Sequence, residues 1–119
     1  MGAPVVHFEI GCRDRAKTGQ FFGKLFDWKM EEFGDATMVD TGNESGIAGH
    51  IAALGHEPHN YVTFYVQVDD LDAKLKEAEE LGAKTLVPPQ EIPGMGHFAW
   101  FADPEGTPIG LWKPIGEGN

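Results

Sequence analysis

Apolar and polar residues alternate along two similar stretches of the chain that begin 56 residues apart. Val6–Asp14 reads V-H-F-E-I-G-C-R-D, and Val62–Asp70 reads V-T-F-Y-V-Q-V-D-D. In both stretches apolar residues recur at every second position, which is typical of a half-buried strand. Each stretch ends at an aspartate whose short carboxylate suits the N-cap of a following helix. The pattern therefore predicts two copies of a strand followed by a helix.

Each predicted helix is followed by three further strand-like segments. The helices carry apolar residues at helical spacing, and Gly82 stops the second one; these residues are Phe22, Leu25 and Phe26, then Leu71, Leu75, Ala78 and Leu81. The predicted strands are Trp28–Phe33, Thr37–Thr41 and Gly46–Ala53 in the first copy, and Thr85–Ile92, His97–Ala102 and Thr107–Lys113 in the second. Asp103-Pro104-Glu105-Gly106 has the residues that a type I turn favours.

Length and cysteine content place this repeat in one α+β domain. The 119 residues fit a single domain, 1–119, with a first module at about 4–53, a linker at 54–59 and a second module at about 60–114. Cys12 is the only cysteine, so the chain cannot form an internal disulfide, and we expect a reducing, cytoplasmic setting. The sequence shows no secretory signal and no apolar stretch of membrane-spanning length.

The charge balance excludes two classes of partner. Nine Lys and Arg residues stand against nineteen Asp and Glu residues, which gives a formal net charge of −10. Such a chain repels the phosphates of nucleic acids and the headgroups of anionic membranes. We therefore expect neither a nucleic acid nor a membrane as partner.

The repeat, the helix segment Phe21-Phe22-Gly23-Lys24-Leu25-Phe26 and the turn at Asp103 together resemble the vicinal oxygen chelate superfamily. That superfamily includes glyoxalase I, bleomycin-resistance proteins and extradiol dioxygenases. The resemblance implies two βαβββ modules that form an open, cup-shaped mixed β-barrel with flanking helices. It also implies a divalent metal inside the cup and, since such relatives commonly pair, a homodimer. The fold does not fix the activity, because members of the superfamily differ in their chemistry.

The resemblance implies metal ligands on the first and last strands of each module. Those positions are occupied here by His7, Ala48, Thr63 and Gly110, of which His7 alone is a good ligand. A one-residue change in the register of the fourth strand would bring His50 toward the cup. Because a divalent ion needs several protein ligands, we expect no metal cofactor, with a divalent-metal enzyme as the alternative.

Polar residues on the two first strands are the candidates for chemistry. His7 and Glu9 lie two apart and so share the face opposite Phe8 and Ile10, where they suit acid–base catalysis or, equally, a structural pairing. Candidate substrate-binding residues are Thr63, Tyr65 and Gln67 on the second module's first strand, His50, and the aromatic residues Phe98, Trp100 and Trp112. The pattern leaves open which face of the His97–Ala102 strand lines the cavity.

Three functions remain open at this point. The leading hypothesis is a glyoxalase-like protein that binds a small carbonyl-containing or aromatic molecule and, if it is an enzyme, acts as a lyase or isomerase without the usual metal. The second is a divalent-metal-dependent glyoxalase or dioxygenase. The third is a non-catalytic protein that binds a drug or toxin, as bleomycin-resistance proteins do.

Overall fold

The computed structural model describes residues 2–115 of the chain. Its helices and strands follow the predicted order, with bounds within two residues of those expected for the six later strands. The elements are β1 (Val5–Gly11), α1 (Arg15–Phe26), β2 (Lys29–Phe33), β3 (Ala36–Asp40), β4 (Ala48–Ala52), β5 (Tyr61–Gln67), α2 (Leu71–Glu80), β6 (Lys84–Ile92), β7 (Gly96–Ala102) and β8 (Pro108–Pro114). The α+β class and the two βαβββ units are thus confirmed. The cup, which requires both modules, stays a prediction. Residues 1 and 116–119 of the predicted domain lie outside the described part of the chain.

Contacts between residues divide the chain into two compact units. The first unit is Val6–Thr63, and the second contains the remaining described residues. In the first unit the strand order is β2-β3-β4-β1, with β1 parallel to β4 and the other neighbours antiparallel. The parallel pair needs a crossover, and α1 lies within that connection.

The first unit packs α1 against one face of its sheet. Asp14 caps the helix as predicted, its carboxylate accepting a hydrogen bond from the backbone N–H of Lys17 at 3.1 Å. Cys12, Val39 and Ile51 form the buried core on this face, and Phe8, Ile10, Trp28 and Met30 pack against it. Cys12 is therefore the small core residue that its position in the strand predicts.

The second unit repeats this construction. Its strand order is β5-β8-β7-β6, with β5 parallel to β8. Asp70 caps α2 by accepting from the N–H of Ala73 at 3.0 Å, and Gly82 ends the helix region with φ at +107°. The core on the α2 face consists of Val68, Leu71, Leu75, Ala99 and Leu111, with Val66 and Phe101 packed against it.

The Asp103 turn closes the hairpin between β7 and β8. The N–H of Gly106 donates to the carbonyl of Asp103 at 2.8 Å, and the Asp103 carboxylate accepts from the N–H groups of Glu105 and Thr107, both at 2.9 Å. These hydrogen bonds hold the pKa of Asp103 below its usual value. The predicted turn is confirmed.

Candidate functional site

His7 and Glu9 lie on the face of the first unit's sheet that points away from α1. Their neighbours Phe8 and Ile10 pack into the core on the other face, as the period of two requires. The parallel register sets His7 beside Ala48 and Glu9 beside His50. This face therefore carries the odd-numbered residues of β1, His7 and Glu9, and the even-numbered residues of β4, Ala48 and His50.

A chain of hydrogen bonds connects four side chains on this face. His7 Nε2 lies 2.8 Å from His50 Nδ1, and His50 Nε2 lies 3.1 Å from a carboxylate oxygen of Glu9. The hydroxyl of Tyr61, on β5, donates to the other oxygen of the same carboxylate. We call these four residues the Glu9 cluster. They belong entirely to the first unit.

The carboxylate of Glu9 fixes the proton positions in the cluster. Glu9 is only 2% exposed, and when its carboxylate is ionised it can only accept, so that His50 Nε2 and the Tyr61 hydroxyl are then the donors. When His50 Nδ1 accepts the hydrogen bond between the two rings, His7 Nε2 carries the proton and donates to it. The tautomer of His7 then presents Nδ1 as its accepting nitrogen.

Burial sets the charge state of two members of the Glu9 cluster. Burial, reinforced by repulsion from His50 and opposed by Glu9, lowers the pKa of His7 from 6.5 to about 4. His7 is therefore neutral near pH 7. Burial, followed by the hydrogen bond and the negative charge of Glu9, raises the pKa of Tyr61 above its ordinary value. Tyr61 thus acts as a hydrogen-bond donor and not as a base.

Tyr61 is the member of the Glu9 cluster that the sequence analysis missed. The period of two along β5 carries Tyr61 onto the face shared by Thr63, Tyr65 and Gln67, which was the signal that could have found it. Its ring lies against Gly11, where a Cβ atom would come within 1.9 Å of the ring. A glycine on β1 thus makes room for the tyrosine that holds Glu9.

His50 reaches the His7 face without any change of register. The sequence analysis assumed that a one-residue change was needed, and that assumption is wrong. Ala48 and His50 are two residues apart on β4, so they point to the same side, and the observed register already places His50 beside Glu9.

Aromatic side chains gather on the corresponding face of the second unit. The indole N–H of Trp100 donates to the hydroxyl of Tyr65 at 2.8 Å, and the two rings meet edge to face. Phe98 and Trp112 are cross-strand neighbours on β7 and β8, and Ala99 and Phe101 pack toward α2. Phe98 and Trp100 therefore point away from the α2 core, and that their face lines the cavity stays a prediction. Thr63, 3% exposed, belongs to the first unit.

The residues at the superfamily's usual metal positions do not fit a divalent ion. Ala48 and Gly110 offer no donor atom, and a Cβ atom at Gly110 would lie 2.4 Å from the ring of Tyr65, so that ring occupies the space an acidic side chain would need. Within residues 2–115, no group of three or more His, Cys, Asp or Glu side chains is arranged to hold a metal ion.

The two βαβββ units define a protein of the vicinal oxygen chelate superfamily, and comparison with known families makes this specific. A family model described as "Glyoxalase-like domain" matches residues 6–112. The chain belongs to this glyoxalase-like domain family. The resemblance inferred from the repeat is thereby confirmed.

Curated relatives of the chain include anthracycline biosynthesis proteins and a glyoxylase-like domain-containing protein. The anthracycline biosynthesis protein DnrV of Streptomyces peucetius is 29% identical over 94% of this chain and 47% of its own length. DauV of Streptomyces sp. (strain C5), with the same description, is 28% identical with the same coverage. The chain spans about half the length of these relatives. A glyoxylase-like domain-containing protein of Didymella fabae is 25% identical over 83% of this chain and 84% of its own.

Solved structures show the same fold at low sequence identity. Methylmalonyl-CoA epimerase from Mycobacterium tuberculosis has a TM-score of 0.67 and 14% identity, covering 95% of this chain and 89% of its own. A glyoxalase/bleomycin resistance protein/dioxygenase superfamily member from Vibrio splendidus 12B01 has a TM-score of 0.64 and 16% identity, covering 96% and 100%. Among residues 2–115, neither helix has the length and apolar character that crossing a bilayer requires.

Proposed function

We propose that this protein moves a proton on a small carbonyl compound, as an isomerase or lyase, and that the Glu9 cluster performs this step without the superfamily's usual metal. The observation that supports the proposal is the hydrogen-bonded chain from His7 through His50 to the buried carboxylate of Glu9. A carbon next to a carbonyl group is acidic enough for a positioned side chain to remove its proton.

The order of proton transfers follows from the tautomers. Nδ1 of His7 takes the proton from the substrate carbon, and the electron pair of the broken C–H bond moves into an enolate. His7 Nε2 then passes its proton to Nδ1 of His50, whose Nε2 passes its own proton to Glu9. The substrate's negative charge is matched by the loss of the Glu9 charge, and the reverse transfers return a proton to carbon.

The role of Glu9 explains how a histidine with a low pKa can act as a base. An isolated imidazole with a pKa of about 4 would be a weak proton acceptor at neutral pH. Glu9 compensates, because a carboxylate with 2% exposure gains a proton at little cost in lost solvation. The Tyr61 hydroxyl keeps the carboxyl group oriented toward His50 both when Glu9 is ionised and when it is protonated.

Solvent-deuterium exchange tests this function without knowledge of the natural substrate. A panel of small ketones, 2-oxo acids and acyl thioesters in D₂O should include a compound whose α-proton exchanges faster with the protein. We expect His7→Gln and Glu9→Gln to slow that exchange by about 100-fold or more. His59→Gln is the control, because His59 pairs with Glu57 outside the Glu9 cluster. No exchange with any compound, or equal loss in all three variants, would contradict the proposal.

A second candidate function is the binding of a flat aromatic molecule without turnover. It is favoured by the face that carries Tyr65, Phe98, Trp100 and Trp112, since aromatic rings bind planar ligands by stacking. The anthracycline biosynthesis proteins among the relatives act in a pathway whose name denotes such planar molecules.

Titration with an anthracycline, followed by tryptophan fluorescence, tests this second candidate. Trp100→Leu should weaken binding by about 10-fold or more, in line with the loss of one ring-stacking contact. Phe64→Leu is the matched control, because Phe64 lies on the opposite face of β5 from Tyr65. The ligand should be recovered unchanged, and equal affinities of the two variants would remove this candidate.

A further inference from the structure

Strands β2 and β3 add side chains to the face of the first unit that carries the Glu9 cluster. Met30 on β2 and Val39 on β3 belong to the core on the α1 side. Because successive side chains of a strand point to opposite sides, residues an odd number of positions away from them point to the side of the Glu9 cluster. We call this side the open face; it carries Lys29, Glu31 and Phe33 on β2, and Ala36, Met38 and Asp40 on β3.

Negative charge predominates on the open face. Within strands β1 to β4, this face carries three carboxylates, those of Glu9, Glu31 and Asp40, and one ammonium group, that of Lys29. Lys29 lies directly opposite Asp40 in the register, so these two charges offset each other. These four strands therefore offer no surplus positive charge to a carboxylate or phosphate of a substrate.

The chemistry proposed for the Glu9 cluster makes an anionic substrate still less favourable. Removal of a proton from carbon creates a negatively charged enolate next to His7, while Glu9 keeps its own charge until a proton reaches it. A carboxylate on the substrate would add another negative charge close to both. Because Glu9 is almost fully buried, water screens this repulsion poorly. A substrate without a formal charge avoids the repulsion.

Apolar side chains adjoin His50 on the open face. Met38 lies directly opposite His50, and Phe33 lies directly opposite Ala36. Phe33 is 50% exposed, and Met38 is partly buried. Residues two apart on a strand are separated by about 7 Å, so the small Ala36 leaves room for one ring between the larger Met38 and Phe33. An apolar group of a substrate can therefore bind beside the histidine pair.

We propose that the Glu9 cluster acts on an uncharged ketone that carries an apolar, ring-sized group, and that it rejects substrates with a carboxylate or phosphate. The carbonyl group lies at His7, and the apolar group contacts Met38 and Phe33. This inference rests on the proposed function, because it names the substrate class of the same site.

Hydrogen–deuterium exchange of three matched ketones tests the substrate class. Benzylacetone is neutral and carries a phenyl ring, benzylpyruvate has a carboxylate in place of its methyl group, and butanone lacks the ring. The measured quantity is the ratio of protein-catalysed to uncatalysed exchange at the methylene group beside the carbonyl. This ratio should be about 10-fold higher for benzylacetone than for benzylpyruvate, because of charge repulsion. It should also be about 10-fold higher than for butanone, because the ring buries apolar surface.

Salt and esterification show whether charge causes the difference. Added NaCl should bring the ratios of benzylacetone and benzylpyruvate closer together, because salt screens repulsion between charges. The methyl ester of benzylpyruvate should have a ratio close to that of benzylacetone, since the ester keeps the second carbonyl group and lacks the charge. A difference that survives both changes would overturn the role of charge.

Two variants test whether the preference comes from the open face. Phe33→Ala should lower the exchange of benzylacetone about 5-fold more than that of butanone. Phe21→Ala is the control, because Phe21 is exposed on α1, on the other side of the sheet. Glu31→Lys should raise the ratio for benzylpyruvate about 3-fold, whereas Glu105→Lys, the same change of charge in the Asp103 turn, should not. Near-ultraviolet circular dichroism shows whether each variant is folded, and the comparison of ketones on the wild type needs no variant.

The possible results separate the substrate class from the proposed function. If the ratio for benzylpyruvate equals or exceeds that for benzylacetone, and Glu9→Gln abolishes the exchange, the substrate class is wrong and the proposed function stands. If the protein accelerates the exchange of no ketone, both are overturned. A ratio for butanone as high as that for benzylacetone would overturn the binding of a ring between Met38 and Phe33.

Discussion

The buried carboxylate of Glu9 determines what its neighbours must do. A charge with 2% exposure is tolerated only when hydrogen-bond donors replace water, and His50 and Tyr61 supply them. The same requirement makes His50 Nε2 a donor toward Glu9.

Acidification should lower the free energy of unfolding through the titration of His7. Its pKa is about 4 in the folded chain, below the ordinary value of 6.5, so the unfolded chain binds more protons between these values. The stabilisation is complete above pH 6.5 and is lost as the pH falls toward 4. Because part of the ring meets water, we expect a loss of about 1 kcal/mol at roughly pH 5.

Urea unfolding at about pH 7 and pH 5 measures this effect. The loss of stability between the two pH values should be smaller in His7→Gln than in the wild type, because the variant lacks the titrating ring. Identical pH dependence in the two proteins would show that His7 is not responsible.

Removal of the Tyr61 hydroxyl should destabilise the fold. Tyr61→Phe takes a donor from a buried carboxylate, which costs about 2 kcal/mol, whereas Tyr65→Phe removes a neutral acceptor of the Trp100 N–H and costs about 1 kcal/mol. Urea midpoints of the two variants give the comparison. A loss for Tyr61→Phe no greater than that for Tyr65→Phe would show that the hydroxyl does not hold an ionised Glu9.

At the scale of elements, glycines decide how closely neighbouring segments approach. Gly11 on β1 lies under the Tyr61 ring, and Gly110 on β8 lies under the Tyr65 ring. In the first unit an aromatic ring covers a glycine of the first strand, and in the second unit a ring covers a glycine of the last strand. At Gly110 the ring also takes the place of a metal-binding acid.

Gly11→Ala should destabilise the protein by about 1–3 kcal/mol, because the new methyl group would overlap the Tyr61 ring. Gly19→Ala is the opposite case, since its nearest neighbour is 3.7 Å away on Met30 and alanine favours a helix. That change should stabilise by up to about 1 kcal/mol. Thermal unfolding of both variants measures this difference in stability. Equal shifts of the unfolding temperature in the two variants would contradict the prediction.

At the scale of the whole molecule, the net charge of −10 sets the long-range behaviour. We expect no binding to duplex DNA at about 0.1 M salt, because the summed charge repels phosphate. A gel-shift titration checks this. A shift that disappears at higher salt would reveal a local basic surface that overcomes the net charge.

Much of the architecture was predictable from local sequence. The N-caps at Asp14 and Asp70 and the turn at Asp103 depend on residues within four positions of one another, and the structure confirms all three. The faces of His7 and Glu9 were also predictable, because the period of two is a property of a single strand.

Local sequence patterns were enough to predict the two βαβββ units, their caps and turns, and the absence of donor atoms at Ala48 and Gly110. Tertiary structure alone decided that His50 contacts His7 and that Tyr61 contacts Glu9, pairs separated by 43 and 52 residues. Contacts at such distances depend on strand pairing and on which side chains fill the space beside a glycine. Periodicity assigns a face to each residue, but it does not say which residue of another strand lies opposite.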